Sequence, residues 1–261
     1  MYDRALDIPK PYFIYMNRRK YELKLIFIRH GEPDYARDSL TPAGFREAEI
    51  LADRIKTWNV TDFYCSPQGR AKKTAEPVLK ALNRTATEKA WLHEFHLVPV
   101  PDPDGGNDAC SWDRLPSYMN ENPELLDVAK WKDTPLIRET GYAEYYDRTM
   151  RELDDLLREY GYVRDGMYYR VLPDAKRDAT VVFFCHLGIT CALLSHLLNV
   201  APHVLWQGFF LAPASVTIAG TEERDGKTAA FRVQLMGDTS HLREAKEPIS
   251  EFGTYTELFE G

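Results

Sequence analysis

The sequence contains few cysteines. Its 261 residues include four, and no two of them have the CxxC spacing of a structural zinc site. So few cysteines in a chain of this length do not predict a disulfide framework. The four are Cys65, Cys110, Cys185 and Cys191. We therefore expect the protein to reside in a reducing compartment and predict a cytoplasmic location.

Long apolar runs are also absent. The N-terminal segment has only a four-residue apolar patch, at residues 13–16, which is too short for the hydrophobic region of a signal peptide. No stretch approaches the roughly 20 apolar residues that a membrane-spanning helix needs. We therefore expect no association with a membrane.

The chain has no excess of positive charge. It carries 33 lysines and arginines against 40 acidic residues, for a net charge of -7. Nucleic acids and anionic membranes require basic surfaces, so neither is an expected partner. Any anion-binding site must be local. A hydrophobic content of 44% is enough for a sizeable core, and we predict a single domain over residues 1–261, with residues 1–21 as an N-terminal extension.

Strand and helix patterns alternate along much of the sequence. The apolar runs at residues 23–28 and 181–184, and the segment DFYCS, predict buried strands. Thr41 and Pro42 are typical of a helix N-terminus, and a second helix is expected from Gly69 to near Asn83. This order predicts an α/β fold: a three-layer sandwich with a mostly parallel central sheet and helices on both faces.

The middle of the chain breaks this alternation. Residues 97–124 are rich in Pro, Asp, Asn and Gly, which predicts a long loop with brief helical pieces. A helix is expected over residues 142–160, and hairpins are expected in YVRDGMYYRV and in residues 215–236. We interpret residues 97–175, approximately, as an insertion and lid region.

Two of the predicted strands end in histidine. His30 follows one apolar run and His186 follows another, and Arg29 directly precedes His30. Ligands of open parallel sheets bind beyond the carboxyl ends of the strands, so these side chains are expected to meet there. Arg70 lies where a third strand passes into a helix, whose free amides favour an anion. Two guanidinium and two imidazole groups predict a phosphate pocket. A single histidine after a strand would more often be structural.

Five segments in this order resemble the motifs of the histidine phosphatase superfamily, also called the phosphoglycerate mutase-like family: RHGE, LTPAGFREAEILADRI, CSPQGRAKKTAEPVLKAL, LHEF and CHLGITCALLSHLL. The resemblance implies the phosphoglycerate mutase-like fold and a phosphatase that acts on a small phosphorylated metabolite. It implies that His30 is the nucleophile and forms a phosphohistidine. Arg29, Arg70 and His186 would then hold the phosphate oxygens, with the backbone amide of Leu187.

The family also implies a carboxyl group that protonates the leaving alcohol. Glu94, within LHE, has the matching place, and Glu32, Asp34 and Glu88 are competing carboxylates. We also place Glu32 among the substrate-binding residues. No cofactor and no metal ion is expected, because His93 and His96 lack a third ligand at a suitable spacing. Whether the protein forms a homodimer stays an open question.

The sequence departs from the family pattern in three places. Ala36 stands where many members have a phosphate-binding asparagine, so that contact is not expected. The segment between His30 and LTPAG is shorter than in the bisphosphoglycerate-dependent mutases, and a Pro/Asp-rich loop replaces the Gly-rich motif after the acid. These last two differences make a glycolytic mutase less favoured than a phosphatase. A phosphomutase and a non-catalytic phospho-ligand binding module remain the alternatives. The loop from Leu97 to Asp133 is expected to line the substrate pocket, through Trp112, Arg114, Tyr118 and, beyond it, Arg138.

Overall fold

The computed structural model describes residues 23–95 and 114–253. Its centre is an eight-stranded sheet with strand order β5-β4-β8-β1-β9-β10-β7-β6, and β2 and β3 form a separate two-stranded ladder. The strands are β1 (Lys24–Arg29), β2 (Pro33–Asp34), β3 (Ser39–Leu40), β4 (Asp62–Cys65), β5 (Thr87–Glu88), β6 (Tyr162–Asp165), β7 (Tyr168–Val171), β8 (Thr180–Cys185), β9 (Val216–Glu223) and β10 (Thr228–Asp238).

The helices follow the strands in the expected alternation. They are α1 (Pro42–Ile55), α2 (Gly69–Leu82), α3 (Pro116–Glu121), α4 (Pro135–Arg138), α5 (Tyr142–Glu159), α6 (Leu187–Leu198), α7 (Pro202–Gly208) and α8 (Ser240–Glu244). The predicted cap of α1 is confirmed, because the Thr41 hydroxyl accepts a hydrogen bond from the Gly44 amide at 3.1 Å. The predicted end of α2 is also confirmed: Asn83 follows it in the left-handed conformation.

The two faces of β1 are both covered, which explains its continuous apolar sequence. Ile26 and Ile28 belong to one buried cluster together with residues of α1 and α2. Leu25 and Phe27 belong to a second cluster together with residues of α5 and α6. Successive side chains of a strand point to opposite faces, so one short strand contributes to both layers of the core. The predicted three-layer α/β arrangement is confirmed.

Parallel and antiparallel pairing divide the sheet into two halves. Strands β5, β4, β8 and β1 pair in parallel, which is the predicted core of the sheet. Strand β9 pairs antiparallel with β1, and the two predicted hairpins, β9–β10 and β6–β7, complete the other half. In the parallel half, Arg29 is in register with Cys185, and Cys65 is in register with Phe184. The carboxyl ends of β1, β8 and β4 therefore share one edge.

The predicted insertion and lid region is described from residue 114 onward. Short helices occupy its first part: α3, α4 and 3₁₀ turns at Pro123–Leu126 and Trp131–Asp133. The long predicted helix is present as α5. The N-terminal extension and the Pro/Asp-rich stretch at 97–113 lie outside the described residues, so the domain and insertion boundaries stay predictions. None of the helices in the described ranges has the length and apolar character needed to cross a membrane.

Candidate active site

The two predicted imidazoles lie side by side at the shared edge of the sheet. His30 and His186 directly follow the neighbouring strands β1 and β8, and the amide of His30 donates to the Cys185 carbonyl at 3.0 Å. Their ring centroids are 5.1 Å apart and the ring planes are inclined by 60°. Both residues are buried. Positions separated by more than 150 residues in the sequence thus form one cluster.

The His30 ring is held in a defined tautomer. Its Nδ1 lies 2.7 Å from the backbone carbonyl of Gly31, which can only accept, so Nδ1 carries the proton. The remaining nitrogen, Nε2, keeps its lone pair. Burial, and next the nearby positive charge of Arg29, hold the pKa of His30 well below its usual value of 6.5. At neutral pH the ring is uncharged, as a nucleophile requires.

The His186 ring is oriented by Ser66, which follows strand β4. The two side chains meet through Ser66 Oγ and His186 Nε2 at 2.8 Å. Nδ1 of His186 is buried and has no hydrogen-bond partner among the described residues. Burial and then the neighbouring His30 lower the pKa of His186 well below its usual value. The hydroxyl of Ser66, at the end of a third parallel strand, thus holds Nε2 of the ring and leaves Nδ1 for a ligand.

The two predicted arginines are also buried, and each is anchored through its Nη1 atom. Nη1 of Arg29 donates to the Leu211 carbonyl, and Nη1 of Arg70 donates to Asp38 Oδ1 at 2.7 Å. The Nε atom of each arginine is buried without a hydrogen-bond partner within the described parts of the chain. Since a buried guanidinium donor without a partner is unfavourable, both side chains are suited to bind an anion.

Tyr35 covers part of this cluster. The Cζ atom of Arg70 lies 5.4 Å from the centroid of the tyrosine ring, and the hydroxyl interacts with Arg29. The other neighbour of the ring is Phe252, at 6.3 Å between centroids. Burial lowers the pKa of Arg29, and the Tyr35 interaction opposes that effect. Tyr35 is itself 59% exposed, so it forms the solvent side of the cluster.

Glu94 is positioned at the start of α6. Its Oε1 accepts hydrogen bonds from the amides of Ile189, at 3.0 Å, and Phe95, at 2.8 Å. Its own amide donates to the side chain of Gln68 at 2.7 Å. The carboxylate also interacts electrostatically with Arg29. The structure therefore brings Glu94 to the cluster, because the Ile189 amide that it binds lies three residues after His186.

The competing carboxylates have other partners. Glu32 Oε1 accepts from the Thr41 hydroxyl at 2.7 Å, Asp34 forms an ion pair with Arg37, and Glu88 pairs with Lys72. The Glu32 carboxylate is thus bound at the N-terminus of α1. Its role in substrate binding stays a prediction. Leu187 contributes the first amide of α6, beside His186.

One expectation about helix α2 is wrong. We expected free amides at its N-terminus to favour an anion, but the Gly69 amide donates to Asp38 Oδ2 at 2.6 Å. The two segments are in close contact, since a Cβ on Gly69 would lie 2.1 Å from the Asp38 carbonyl oxygen. Only glycine allows this approach. A carboxylate from the chain itself therefore caps the helix.

A second set of contacts holds the turn that follows β1, at Gly31 and Glu32. The amide of Gly31 donates to Thr74 Oγ1 at 2.9 Å, and the amide of Glu32 donates to Glu47 Oε2 at 2.6 Å. Burial raises the pKa of Glu47 from 4.5 to about 7. Helices α1 and α2 thus hold the turn after β1 through one buried side chain each.

Sequence reasoning missed Ser66, Thr74, Glu47, Asp38 and Tyr35. Ser66 had a usable signal, because it closes a strand in the same way as His30 and His186. Thr74 and Glu47 lie one helical turn inside amphipathic helices, where a small or acidic side chain carries no sign of its contact. Asp38 had no signal, since its partners are 31 and 32 residues away.

The predicted pocket loop is only partly described. Trp112 lies outside the described residues. Arg114 is buried and lies 5.6 Å from the centroid of Tyr118, whereas Arg138 is exposed at the end of α4. Their contact with a substrate stays a prediction.

The remaining histidines and cysteines have other environments. His93 is half-buried and lowers the pKa of His186, whereas His96 lies outside the described residues. His196 binds Asp154 at 2.9 Å, and His241 contacts Arg54 at 3.0 Å. Cys185 is buried, and burial raises the pKa of its thiol to about 12, as expected for a core residue. In the described ranges, no three His, Cys, Asp or Glu residues form a group suited to a metal ion.

Comparison with solved structures shows the same fold in other proteins. Phosphoserine phosphatase from Entamoeba histolytica, in complex with 3-phosphoglyceric acid, is 21% identical with a TM-score of 0.55, covering 84% of this chain and 99% of that one. A mycobacterial glucosyl-3-phosphoglycerate phosphatase in complex with inorganic phosphate is 18% identical with a TM-score of 0.53, covering 84% and 98%. These likenesses establish the fold.

The sequence comparisons establish the family. A curated relative, the probable phosphoglycerate mutase GpmB of Photorhabdus laumondii, is 27% identical over 84 residues, which are 29% of this chain and 39% of the relative. The alignment thus spans well under half of that protein. The family model of the histidine phosphatase superfamily (branch 1) matches residues 25–234, which include every residue of the cluster described above. The chain therefore belongs to the histidine phosphatase superfamily.

Proposed function

We propose that this chain is a phosphatase that hydrolyses a small phosphorylated metabolite through a phosphohistidine at His30, without a metal ion. One observation carries the proposal. Three buried nitrogen atoms without partners among the described residues, Nε of Arg29, Nε of Arg70 and Nδ1 of His186, belong to the side chains that neighbour or act electrostatically on His30, whose Nε2 keeps its lone pair. This is the arrangement that a phosphoryl group and its nucleophile require.

In the proposed first step, Nε2 of His30 attacks phosphorus in line and the alcohol leaves on the opposite side. The N–P bond forms as the P–O bond to the alcohol breaks, and the proton on Nδ1 stays hydrogen-bonded to the Gly31 carbonyl. Arg29, Arg70 and His186 hold the oxygens that carry the charge of the transition state. The guanidinium groups supply the positive charge that metal ions supply in many other phosphoryl-transfer enzymes.

Glu94 is the proposed proton donor to the leaving oxygen. Oε1 is bound by two backbone amides, and Oε2 has no hydrogen-bond partner among the described residues, so one oxygen is fixed and the other can exchange a proton. In the second step the same carboxylate takes a proton from water, which attacks the phosphohistidine and releases inorganic phosphate. Glu47 also interacts with Arg29, but its carboxylate is bound by the Glu32 amide rather than by an amide at the start of α6.

The related structures support a small phosphorylated substrate. The Entamoeba enzyme forms complexes with 3-phosphoglyceric acid and, as a mutant, with phosphoserine. The mycobacterial enzyme is a glucosyl-3-phosphoglycerate phosphatase. All three compounds are phosphorylated small molecules, and we infer the same class for this chain.

A phosphomutase is the second candidate, and the likeness to a probable phosphoglycerate mutase favours it. The same phosphohistidine would then return its phosphoryl group to another hydroxyl of the substrate. The two reactions differ in their product. A phosphatase releases one inorganic phosphate for each substrate consumed, whereas a mutase releases little.

The test is turnover of p-nitrophenyl phosphate with excess chelator between pH 5 and 8. We expect activity in the chelator, an acid-labile phosphoenzyme, and loss of both in His30→Ala. His196→Gln is the matched control, because that imidazole binds Asp154 instead of the cluster. Absence of turnover and of a phosphoenzyme at every pH would contradict the proposal, as would full activity of His30→Ala. Tight phosphate binding without turnover would indicate the non-catalytic binding module.

A further inference from the structure

The two arginines of the site are anchored by groups of different charge. Nη1 of Arg29 is bound by a neutral backbone carbonyl, that of Leu211. Nη1 of Arg70 is bound by the carboxylate of Asp38, at 2.7 Å. In both cases the opposite edge, formed by Nε and Nη2, is the edge that binds an oxyanion through two parallel hydrogen bonds. The anchor therefore decides where that edge points.

The geometry of Asp38 is defined from three directions. Its backbone is in the left-handed region, with φ 46° and ψ 49°, which Asp and Asn adopt more readily than most residues. Its Oδ2 accepts from the Gly69 amide at 2.6 Å, and its Oδ1 accepts from Arg70. Both oxygens are engaged by consecutive residues of α2. Burial opposes the charge of Asp38, but the bonds from Gly69 and Arg70 prevail and lower its pKa, so the group is an anion at neutral pH.

We propose that Asp38 is a positioning residue for phosphate binding: by holding Nη1 of Arg70 it directs the Nε–Nη2 edge of that guanidinium toward the phosphate. This inference rests on the function proposed above. Asp38 does not itself contact the phosphate, because a carboxylate and a phosphate repel each other. It acts through Arg70, which is 95% buried and whose guanidinium has no other hydrogen-bond partner in the described part of the chain.

A purely structural role for Asp38 is the alternative, because the same side chain caps α2. Asparagine separates the two roles. It tolerates the left-handed backbone, and its amide oxygen can still accept from the Gly69 amide, but it offers Arg70 no charge and no second oxygen. Asp38→Asn is therefore expected to keep the fold and to release Arg70.

The experiment is a double-mutant cycle of Asp38→Asn and Arg70→Lys. Lysine retains the charge of Arg70 but lacks the planar fork, so Asp38 has no edge left to orient. For each variant, kcat and KM are measured with p-nitrophenyl phosphate, the affinity for inorganic phosphate by calorimetry, and thermal unfolding as a check on the fold. Asp34→Asn is the matched control: Asp34 also caps a turn and pairs with an arginine, Arg37, but that arginine is exposed, whereas Arg70 is buried.

We expect Asp38→Asn to lower both kcat/KM and phosphate affinity about tenfold, the size of one charge-assisted hydrogen bond. In the Arg70→Lys background the same change should have less than a twofold effect, and Asp34→Asn should match wild type. Equal losses in both backgrounds would overturn the inference and indicate capping alone. Tighter phosphate binding by Asp38→Asn would also overturn it, because the carboxylate would then compete with phosphate for Arg70.

The measurement of phosphate affinity tests the role of Asp38 separately from the proposed phosphatase activity. Wild-type protein that binds phosphate but turns nothing over would contradict the phosphatase, while the coupling between Asp38 and Arg70 would still be measured. Turnover with additive effects of the two substitutions would leave the phosphatase in place and reject the positioning role of Asp38.

Discussion

Helices α2 and α6 begin at the same edge of the sheet, and each receives a carboxylate from elsewhere in the chain. Asp38 binds the Gly69 amide of α2 at 2.6 Å, and Glu94 binds the Ile189 amide of α6 at 3.0 Å. Both carboxylates lie beside an arginine of the site, Asp38 by Arg70 and Glu94 by Arg29. The two helix ends thus look alike in their capping.

They differ in what the second oxygen of each carboxylate does. The second oxygen of Asp38 is bound by Arg70, whereas that of Glu94 accepts no hydrogen bond from any described residue. A carboxylate with both oxygens engaged is held as an anion and can only orient its partners. One with an unengaged oxygen can donate and accept a proton. The same capping geometry therefore supports two different roles.

The strongest test of this contrast is Glu94→Gln. Glutamine keeps an oxygen for the Ile189 and Phe95 amides but cannot donate a carboxyl proton. We expect kcat for alkyl phosphates to fall about 10²- to 10⁴-fold, the usual contribution of general acid catalysis. For p-nitrophenyl phosphate, whose leaving group needs little protonation, the loss in the phosphorylation step should be much smaller. Burst-phase kinetics with both substrates measures that step.

Asp38→Asn is the comparison for this experiment. If Asp38 acts through Arg70, its effect must be the same for good and poor leaving groups, since all share the phosphate. An effect of Asp38→Asn that depends on the leaving group would contradict its positioning role. An effect of Glu94→Gln that does not depend on the leaving group would contradict its role as proton donor.

A third carboxylate, Glu47, extends the comparison to stability. Burial raises its pKa to about 7, and the nearby Glu32 and Glu247 act in the same direction against the opposing effects of the Glu32 amide and Arg29. Because the folded state favours the protonated form, this stabilisation is complete below about pH 4.5 and is lost as the pH rises through 7. Each pKa unit corresponds to about 1.4 kcal/mol, so the full loss is about 3–4 kcal/mol.

Urea unfolding of wild type and Glu47→Gln at several pH values measures this effect. The buried His30 and His186 have lowered pKa values and destabilise both proteins alike as the pH falls below about 6.5, so only the difference between the two is informative. That difference should shift in favour of Glu47→Gln between pH 5 and pH 8. A constant difference would show that Glu47 is ionised throughout.

The clustered histidines and arginines were predictable because of their positions at the ends of strands. Arg29, His30 and His186 come at the ends of short apolar strands, and parallel strands place their carboxyl ends together. Apolar periodicity, a Thr-Pro start and an Asn end were enough to place α1 and α2. Local patterns therefore yielded the parallel half of the fold and the cluster at its edge.

The supporting groups were not predictable in this way. Asp38 reaches residues 31 and 32 positions away only because its backbone is left-handed and Gly69 admits its carbonyl oxygen. The expectation of free amides at α2 was wrong for the same reason, since a cap supplied from a distant loop leaves no mark on the helix sequence. Glu47 has the sequence context of an ordinary polar helix residue, and its contact with the Glu32 amide depends on how α1 packs against the turn after β1.

Gly69→Ala tests the close approach that makes the α2 cap possible. A Cβ at this position would lie 2.1 Å from the Asp38 carbonyl oxygen, so the backbone of one segment must move. We expect a loss of about 1–3 kcal/mol in the free energy of unfolding, as in other overpacked sites, together with reduced activity through Arg70. Gly208→Ala, whose Cβ would meet nothing within 4 Å, is the matched control. Equal effects of the two would argue against a tight contact between α2 and Asp38.

The smallest expected effect concerns Tyr35, whose ring lies next to the guanidinium of Arg70. Its ring is 5.4 Å from the Arg70 Cζ and 59% exposed, and exposed cation–π contacts contribute about 0.5–1 kcal/mol. Tyr35→Ala should therefore raise KM for p-nitrophenyl phosphate about two- to fivefold, whereas Tyr35→Phe, which keeps the ring, should lose only the hydroxyl contact with Arg29. Phe252→Ala removes the other neighbour of the ring and should leave KM within twofold. If Tyr35→Ala matched Phe252→Ala, the orientation of Arg70 would depend on Asp38 alone, and the asymmetry between the two helix ends would lie entirely in their carboxylates.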